Sequence, residues 1–179
     1  MVEPARVYLR PVELRDLEVC RRVDTEPALT RPFEWPGFHH HEEHLRRWEE
    51  DGYLSPDDSM LAVAAKDGAC AGFVSWAPVR TMGPTGGCIE VGILLLPEYR
   101  GQGMGWAAQR ELAEYLFATT LAHRIQASTD VENAAERRAL ERAGFTFEGI
   151  LRGVSYVEGE WRDDALYGCR REDQESARG

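Results

Sequence analysis

The segment LLLPEYRGQGMG, residues 94–105, decides the fold of this chain: a run of leucines ends at a proline, and three glycines follow two positions apart. Glycine loses more backbone freedom on folding than any other residue, so three glycines in five positions predict that the backbone closely approaches a ligand. The amides of such a turn, continued by the unpaired N–H groups of a following helix, are suited to bind an anion such as a pyrophosphate. Arg100 adds a positive charge at the mouth of the turn. The alternative is a plain strand-to-helix turn, in which the glycines only allow the backbone to turn tightly.

Two other glycine motifs do not fit this segment. A dinucleotide fingerprint needs GxGxxG and an acidic residue about 20 positions later, on the next strand. Here Gly101, Gly103 and Gly105 form GxGxG, and the next predicted strand, HRIQAST, contains no acidic residue. The phosphate-binding pattern GxxxxGK[ST] is also absent, because no lysine follows the glycines.

The rest of the chain alternates between helix and strand patterns around this turn. Helical periodicity runs through ELRDLEVCRRVD, EEHLRRWEED, residues 103–119 and NAAERRALERAGF. Strand patterns run through RVYLRPV, SMLAVAAKDG, CAGFVSWAPV, CIEVGILLL, HRIQAST and a hairpin over FEGILRGVSYVEGEWRDDALYGCRR. The spacing places Leu14, Leu17 and Cys20 on the inward face of the first helix, and Leu45 and Trp48 on that of the second. This order of elements predicts an α+β fold in which helices pack on a mixed sheet.

Composition narrows the functional classes. With 179 residues and 43% apolar content, we expect one domain over residues 1–179, with a polar, frayed tail from 172 to 179. No run of 18 apolar residues and no signal-peptide pattern is present, so we expect a cytoplasmic protein without a membrane segment. The formal charge of -10 argues against nucleic acid and favours a cationic partner such as an amine. The four cysteines have no CxxC spacing, which predicts reduced, buried thiols.

Three segments together resemble one family. RGQGMG matches the [RQ]xxGx[GA] pyrophosphate signature of the GNAT superfamily of acyl-CoA-dependent N-acyltransferases. About 30 residues later, NAAERRALERAGFTFEGILRG resembles the N…LE…GF…EG segment of the Rim-type branch, whose members acetylate ribosomal-protein N-termini. GEWRDDALYGCRRED is similar to the closing strand of that branch.

The resemblance implies the GNAT fold, with a mostly antiparallel, twisted sheet that splays at a cofactor cleft and about four flanking helices. The ligand in that cleft would be acetyl-CoA, used as a co-substrate. Its pantetheine arm would bond to strand backbone near Leu94, Leu95 and Leu96, and Asn133 would contact the arm as well as cap a helix with Glu136. The pyrophosphate would lie on Arg100, Gly101, Gln102, Gly103, Met104 and Gly105.

Amine chemistry requires a base, because a primary amine with a pKa of roughly 8 to 10 is protonated at neutral pH. Glu90 matches an acidic position of the family on the strand before the glycine turn, and it is our predicted catalytic residue. A water-exposed glutamate at the strand edge is the alternative. The general acid is undetermined, because Leu140 stands where many members have a tyrosine and Glu136 where the Rim-type branch often has serine.

The acceptor side is predicted with less detail. The resemblance places residues of RPFEWPGFHHHEEHLRRW in a wall of the acceptor pocket, so Glu34 and Trp35 are predicted to receive a cationic substrate; a loop that fills the core is the alternative. Asp164 and Tyr167, on the closing strand, either orient the acceptor or complete the hairpin and core. HHHEEH offers His40 and His44 one helical turn apart but no third ligand, so we predict no metal site.

These features predict an acetyl-CoA-dependent N-acetyltransferase that acts on a primary amine. The acceptor is either a small cationic molecule, such as an amine-bearing antibiotic, or a protein N-terminus. Two alternatives from other classes are a non-catalytic acyl-CoA-binding or partner-binding module and a metal-binding regulator built on HHHEEH. Dimers are common in the resembling branch, so a homodimer is one expected state.

Overall fold

A seven-stranded sheet forms the centre of the molecule. The computed structural model describes residues 7–30, 32–33, 38, 40, 42–80 and 87–176. The strands follow the order β1-β2-β3-β4-β5-β7-β6 across the sheet, and only β4 and β5 are parallel among those described. Their bounds are β1 Tyr8–Arg10, β2 Ser59–Ala64, β3 Cys70–Pro78, β4 Cys88–Leu95, β5 Arg124–Asp130, β6 Thr146–Val157 and β7 Glu160–Arg170. The α+β prediction of a mixed, mostly antiparallel sheet is therefore confirmed.

Helices cover the two faces of the sheet. The described residues contain α1 Leu17–Thr25, α2 Glu42–Asp51, α3 Met104–Thr119, α4 Ala134–Ala143 and α5 Arg171–Ser176. Leu112 and Leu116 of α3 and Leu140 of α4 are fully buried against the middle of the sheet. A second core, with Cys20 of α1 and Phe73 of β3, lies on the other face. None of the described helices has the length and apolar character needed to cross a membrane.

The parallel pair β4–β5 opens along its length. It pairs at only three positions, of which the last joins Glu90 to Gln126. Beyond that point β4 continues to Leu95 and β5 to Asp130, and the two strands separate. Since adjacent paired strands lie about 4.8 Å apart, the loss of pairing opens a gap that runs to the glycine turn.

The inward faces of α1 and α2 differ from the prediction. Leu14 is 55% exposed and Leu45 is 41% exposed. Leu14 belongs to a 3-10 turn before α1, which shifts it off the helical register. The second helix packs through Trp48, as predicted, whose indole donates to the Val12 carbonyl at 2.9 Å, and also through His44, which was not predicted.

The C-terminal segment is also more ordered than predicted, since α5 occupies the start of the expected frayed tail. The N–H of Arg170 donates to the Asp173 carboxylate at 2.9 Å. Arg171 donates its guanidinium to the Phe117 carbonyl in the last turn of α3, to that of the C-cap Thr120, and to that of Ala122 just beyond the helix. These bonds satisfy helix-end carbonyls that otherwise lack intrahelical partners, which explains why the segment is held.

Candidate active site

A cleft of about 520 Å³ lies between the separated ends of β4 and β5. The glycine turn and the start of α3 close one end, α4 forms one wall, and the segment after α1 forms another. The lining residues from these walls include Thr30, Phe33, Gly101, Trp106, Asn133 and Ala139. The gap predicted from the resemblance is thus present, and it connects the glycine turn with the last paired residues of β4 and β5.

The glycine turn has the backbone that its composition predicts. Gly101 and Gly103 have φ values of 71° and 82°, in the left-handed region that favours glycine, and Gly103 is the N-cap of α3. Gly105 packs closely: a Cβ there would lie 3.7 Å from Leu95 Cδ1 and 3.9 Å from Ala139 Cβ. The unpaired amides at the start of α3 and the positive end of its dipole lie beside this turn, an arrangement that suits a phosphate group.

Three side chains of the predicted pyrophosphate loop have structural partners. Arg100 donates through Nε to the Leu95 carbonyl at 2.8 Å and through its terminal nitrogen to the Leu29 carbonyl, so it joins the end of β4 to the segment after α1. Gln102 donates to the Glu98 carbonyl at 2.7 Å. Met104 is a buried core residue. Gln102 and Met104 are therefore placed to contribute backbone amides rather than side chains.

Beyond Glu90, strand β4 presents to the cleft a backbone edge that β5 does not pair, although the Leu95 carbonyl on that edge accepts from Arg100. The Leu96 N–H donates to the Ala71 carbonyl at 2.9 Å, on the side of β3. Backbone groups of successive strand residues alternate between the two edges, so Leu94 also faces β3, whereas Ile93 and Leu95 face the cleft. Of the three leucines predicted to bond the pantetheine arm, geometry thus favours Leu95, and it adds Ile93. The sequence alone could not single out Ile93 and Leu95, because the alternation of backbone groups becomes informative only when the edge of β4 that pairs with β3 is known.

Helix α4 brings polar and charged groups to the cleft. Asn133 caps it, accepting the Glu136 N–H at 3.2 Å, and donates its amide to Thr129 Oγ1 at 3.2 Å. Arg138 and Arg142 line the same wall and were not singled out from the sequence. Among the described lining residues, Arg100, Arg138 and Arg142 oppose the single acid Glu136, so the cleft is cationic in a chain of net charge -10. That sign favours an anionic ligand.

Glu90 lies where β4 and β5 begin to separate. Its carboxylate accepts from Gln126 Nε2 at 3.3 Å and from Ser128 Oγ at 3.2 Å, both on β5. Glu90 is half-buried and is not itself among the residues that line the cleft, whereas Ser128 is. Ser128 therefore connects the predicted base to the cleft, a role that residue type alone did not indicate.

The cysteines are unsuited to nucleophilic catalysis. All four are free thiols, and burial raises the pKa of each, to about 12 for Cys20 and about 11 for Cys70. A thiol with a raised pKa stays protonated at neutral pH, and the thiolate is the nucleophile. Cys88, beside the site, donates to Gln126 Oε1 at 3.4 Å.

The predicted acceptor residues have different outcomes. Glu34 and Trp35 lie outside the described residues. Asp164 is buried and accepts from Ser155 Oγ at 2.7 Å. Tyr167 is fully buried in the core with α4, and its hydroxyl donates to Glu141 at 3.2 Å, which fits the alternative that it completes the core. An inward position on the closing strand faces this core rather than the cleft.

The histidine-rich segment contributes to packing. His44 contacts Asp24 Oδ2 at 2.7 Å through Nε2 and the Tyr53 hydroxyl at 2.6 Å through Nδ1, so both ring nitrogens have partners. No set of three potential metal-ligating side chains gathers anywhere in the part of the chain that the structure describes. His44 thus links α1 to α2.

Comparison with known proteins agrees with this geometry. A model of the acetyltransferase (GNAT) domain matches residues 6–146. Spermidine N(1)-acetyltransferase of Escherichia coli (strain K12) is 24% identical over 162 residues, which cover 88% of this chain and 82% of that protein. The probable N-acetyltransferase YjcK of Bacillus subtilis (strain 168) is 24% identical over 185 residues, which cover 98% of this chain and 99% of that protein.

Solved structures share the fold over nearly the whole chain. Spermidine N-acetyltransferase from Vibrio cholerae, in complex with CoA and spermine, has a TM-score of 0.79 at 19% identity and covers 93% of this chain and 96% of its own. RimJ of Mycobacterium smegmatis, in complex with CoA-disulfide, has a TM-score of 0.76 at 25% identity and covers 96% of this chain and 88% of its own.

The chain belongs to the GNAT acetyltransferase family, since the family model matches well over half of it. It is an enzyme that transfers an acetyl group from acetyl-CoA to an amine nitrogen. The predicted Rim-type resemblance is confirmed, with solved neighbours that include RimJ but are mostly spermidine acetyltransferases. The function class, the enzyme class and acetyl-CoA as co-substrate are likewise confirmed.

Proposed function

We propose that this enzyme acetylates a small cationic amine and that Glu90 is its base, acting through Ser128. The observation that carries the proposal is the Glu90 carboxylate, held by Ser128 and Gln126 at the point where β4 and β5 separate. A carboxylate beside one end of the cleft, linked to it by Ser128, and a glycine turn suited to an anion at the other end support the proposal. An acetyl donor that has phosphates at one end and its reactive thioester at the other matches this arrangement of turn and carboxylate.

In the proposed reaction, Ser128 and Glu90 move the proton and the backbone of β4 holds the co-substrate. Acetyl-CoA, when bound, supplies an acetyl thioester. Ser128 accepts a proton from the substrate ammonium as its own hydroxyl proton passes to Glu90, which frees the nitrogen lone pair to bond the acetyl carbon. Unpaired amides of β4, at Ile93 and Leu95, are placed to hold the co-substrate along the strand. As the C–S bond breaks, the proton held on Glu90 returns through Ser128 to the departing sulfur. The nitrogen, which carries two protons once the C–N bond has formed, releases one of them to solvent, so the products are the neutral acetamide and the CoA thiol.

This relay accounts for the missing family acids. Leu140, which replaces the usual tyrosine, is fully buried and has no proton to give. No tyrosine belongs to the cleft lining among the described residues. Ser128 is a hydroxyl in the lining whose partner is a carboxylate, so it is suited both to accept and to return a proton. A route of this kind needs no separate general acid.

A small cation is favoured over a protein N-terminus for two reasons. Two of the relatives that cover most of this chain are spermidine acetyltransferases, one with spermine bound. The chain also carries ten more acidic than basic residues, a balance that attracts polyamines and other cationic amines. We also propose that the enzyme works in the cytoplasm.

A homodimer is the assembly that we propose. The β6–β7 hairpin exposes apolar side chains near its tip, with Tyr156 at 62% and Trp161 at 69% exposure, and their rings lie 5.2 Å apart. Exposed aromatic clusters of this kind are typical of protein contact surfaces. A related enzyme, spermidine N-acetyltransferase from Vibrio cholerae, is dodecameric in one solved structure.

A substrate panel tests the proposed acceptor. Thiol release from acetyl-CoA would be measured with spermidine, spermine, small diamines, aminoglycosides and peptides with free N-termini. We expect the polyamines to give kcat/KM values at least tenfold above those of every peptide. A peptide that surpasses all the small amines would contradict the proposal, and N-acetylated spermine analogues that lack free primary amines serve as the matched negative control.

A further inference from the structure

The side chain of Thr30 has an unused hydroxyl inside the cleft wall. Thr30 is 7% exposed and lines the cleft, and its Oγ1 has no hydrogen-bond partner within the described structure. Its backbone is fully engaged, because its N–H donates to the Pro27 carbonyl at 3.3 Å and its carbonyl accepts the Phe33 N–H at 3.4 Å. Buried hydroxyls are nearly always hydrogen-bonded, since leaving one without a partner costs free energy.

The position of Thr30 is set by tertiary bonds. It follows the 3-10 turn Pro27–Leu29, and the Leu29 carbonyl accepts from Arg100. Because Arg100 also donates to the Leu95 carbonyl, the residue before Thr30 is tied to the end of β4. Thr30 is therefore held at the end of the cleft near Leu95.

Strand geometry shows what reaches this position. Leu95 is five residues beyond Glu90 on β4, and at about 3.4 Å per residue the two lie roughly 17 Å apart. The acceptor nitrogen must lie within bonding reach of the relay at Glu90, so it is too distant to contact Thr30. The stretch between the relay and the glycine turn is the part of the cleft available to the arm that joins the thioester to the phosphates.

We propose that the Thr30 hydroxyl hydrogen-bonds the amide-bearing pantetheine arm of acetyl-CoA, from the wall that faces β4. This rests on the proposed function, which places the co-substrate along that strand. The arm carries amide N–H and C=O groups, so a hydroxyl that both donates and accepts suits it. Thr30 then supplies a side-chain contact to an arm that β4 otherwise holds through backbone.

The experiment compares binding by two ligands in four proteins. Calorimetry would measure the affinity of wild type, Thr30→Val, Thr30→Ser and Thr25→Val for CoA and for 3′-phosphoadenosine 5′-diphosphate, which keeps the pyrophosphate but lacks the arm. Thr25 is the matched control, because it is exposed on α1 and bonds only the Arg21 carbonyl, at 2.8 Å. Thermal melting of each ligand-free protein would be recorded alongside.

We expect Thr30→Val to weaken CoA binding about tenfold and to leave the affinity for the diphosphate within twofold. Its melting temperature should stay equal or rise by about 2 to 4 °C, because the buried unpaired hydroxyl is gone. Thr30→Ser and Thr25→Val should bind CoA like wild type.

Four results would overturn the inference. Unchanged CoA affinity in Thr30→Val would show that the hydroxyl does not contact the ligand, and an equal loss for both ligands would assign it to the phosphates. A lower melting temperature would mean that the hydroxyl has a structural partner in the protein. If wild type binds neither ligand, the proposed cofactor site is itself wrong and the role of Thr30 falls with it.

Discussion

Glu90 shows how one residue depends on its neighbours. Its sequence position predicts an acid near the cofactor turn, yet the carboxylate is not part of the cleft lining. What connects it to the cleft is Ser128 on β5, 38 residues later in the chain. A base without such a link would be a strand-edge glutamate, which is the alternative that the sequence left open.

Glu90→Gln tests the base directly. The amide keeps the shape and accepts the Ser128 hydrogen bond but cannot take a proton, so we expect kcat/KM at pH 7 to fall about 10²- to 10³-fold with CoA affinity unchanged. The deficit should narrow as pH rises, because the free-amine fraction of a substrate with a pKa near 10 increases and less base catalysis is needed. Stopped assays from pH 7 to 10 would measure both effects.

Glu148→Gln is the control for this substitution. Glu148 pairs with Arg124, whose hydrogen bonds lower the pKa of that carboxyl, and it lies outside the cleft. Its loss should leave turnover nearly intact. A near-normal rate for Glu90→Gln at pH 7 would remove Glu90 as the base.

At the scale of elements, the glycine turn is the part of the site that sequence predicts best. Its residue types demand positive φ angles, and Gly101 and Gly103 have them. The turn also depends on two hydrogen bonds that the sequence does not reveal, because the Arg100 guanidinium donates to the carbonyls of Leu95 and Leu29. The amides at the turn are therefore the main anion ligands that this element offers.

Gly103→Glu tests the turn. The new side chain would be strained at φ 82° and would meet Trp106 Nε1, 3.1 Å from the added Cβ, and its charge would repel phosphate. We expect CoA binding to fall below detection by calorimetry. Gly52→Glu introduces the same side chain at φ 63°, in open space remote from the cleft, so it controls for strain and charge. Unchanged affinity in Gly103→Glu would exclude the turn as the phosphate site.

Helix periodicity predicted which elements form, but it was less successful for their faces. Leu14 and Leu45 were expected to point inward, and they are 55% and 41% exposed. Periodicity counts apolar residues, whereas α2 packs partly through His44, which is polar and bonded on both nitrogens. Ser128 and Thr30 were missed for a related reason: their roles come from contacts between segments far apart in sequence.

At the scale of the whole molecule, charge separates by region. The chain is acidic, yet the described part of the cleft lining is cationic through arginines of the turn and α4. This arrangement suits an anionic co-substrate inside the cleft, whereas the net charge of the chain favours a cationic partner. Net composition could not predict the cationic cleft, because only the fold gathers the arginines.

The proposed homodimer gives a prediction at this scale. We expect light scattering to show a dimer or larger assembly at micromolar concentration, and Trp161→Glu to shift it toward monomer by placing charge on the exposed hairpin cluster. Glu160→Gln, at an exposed neighbour in the same hairpin, should leave the mass unchanged. A monomeric wild type, or a Trp161→Glu protein of unaltered mass, would contradict this surface as the interface.

The bonds from Arg171 have a consequence for synthesis on the ribosome. The guanidinium satisfies carbonyls at the end of α3, more than 50 residues earlier in the chain. A nascent chain that has not yet reached this arginine lacks these partners for the end of α3. A ribosome that stalls after α3 but before Arg171 therefore leaves a nascent protein whose helix-end carbonyls have no guanidinium to bond.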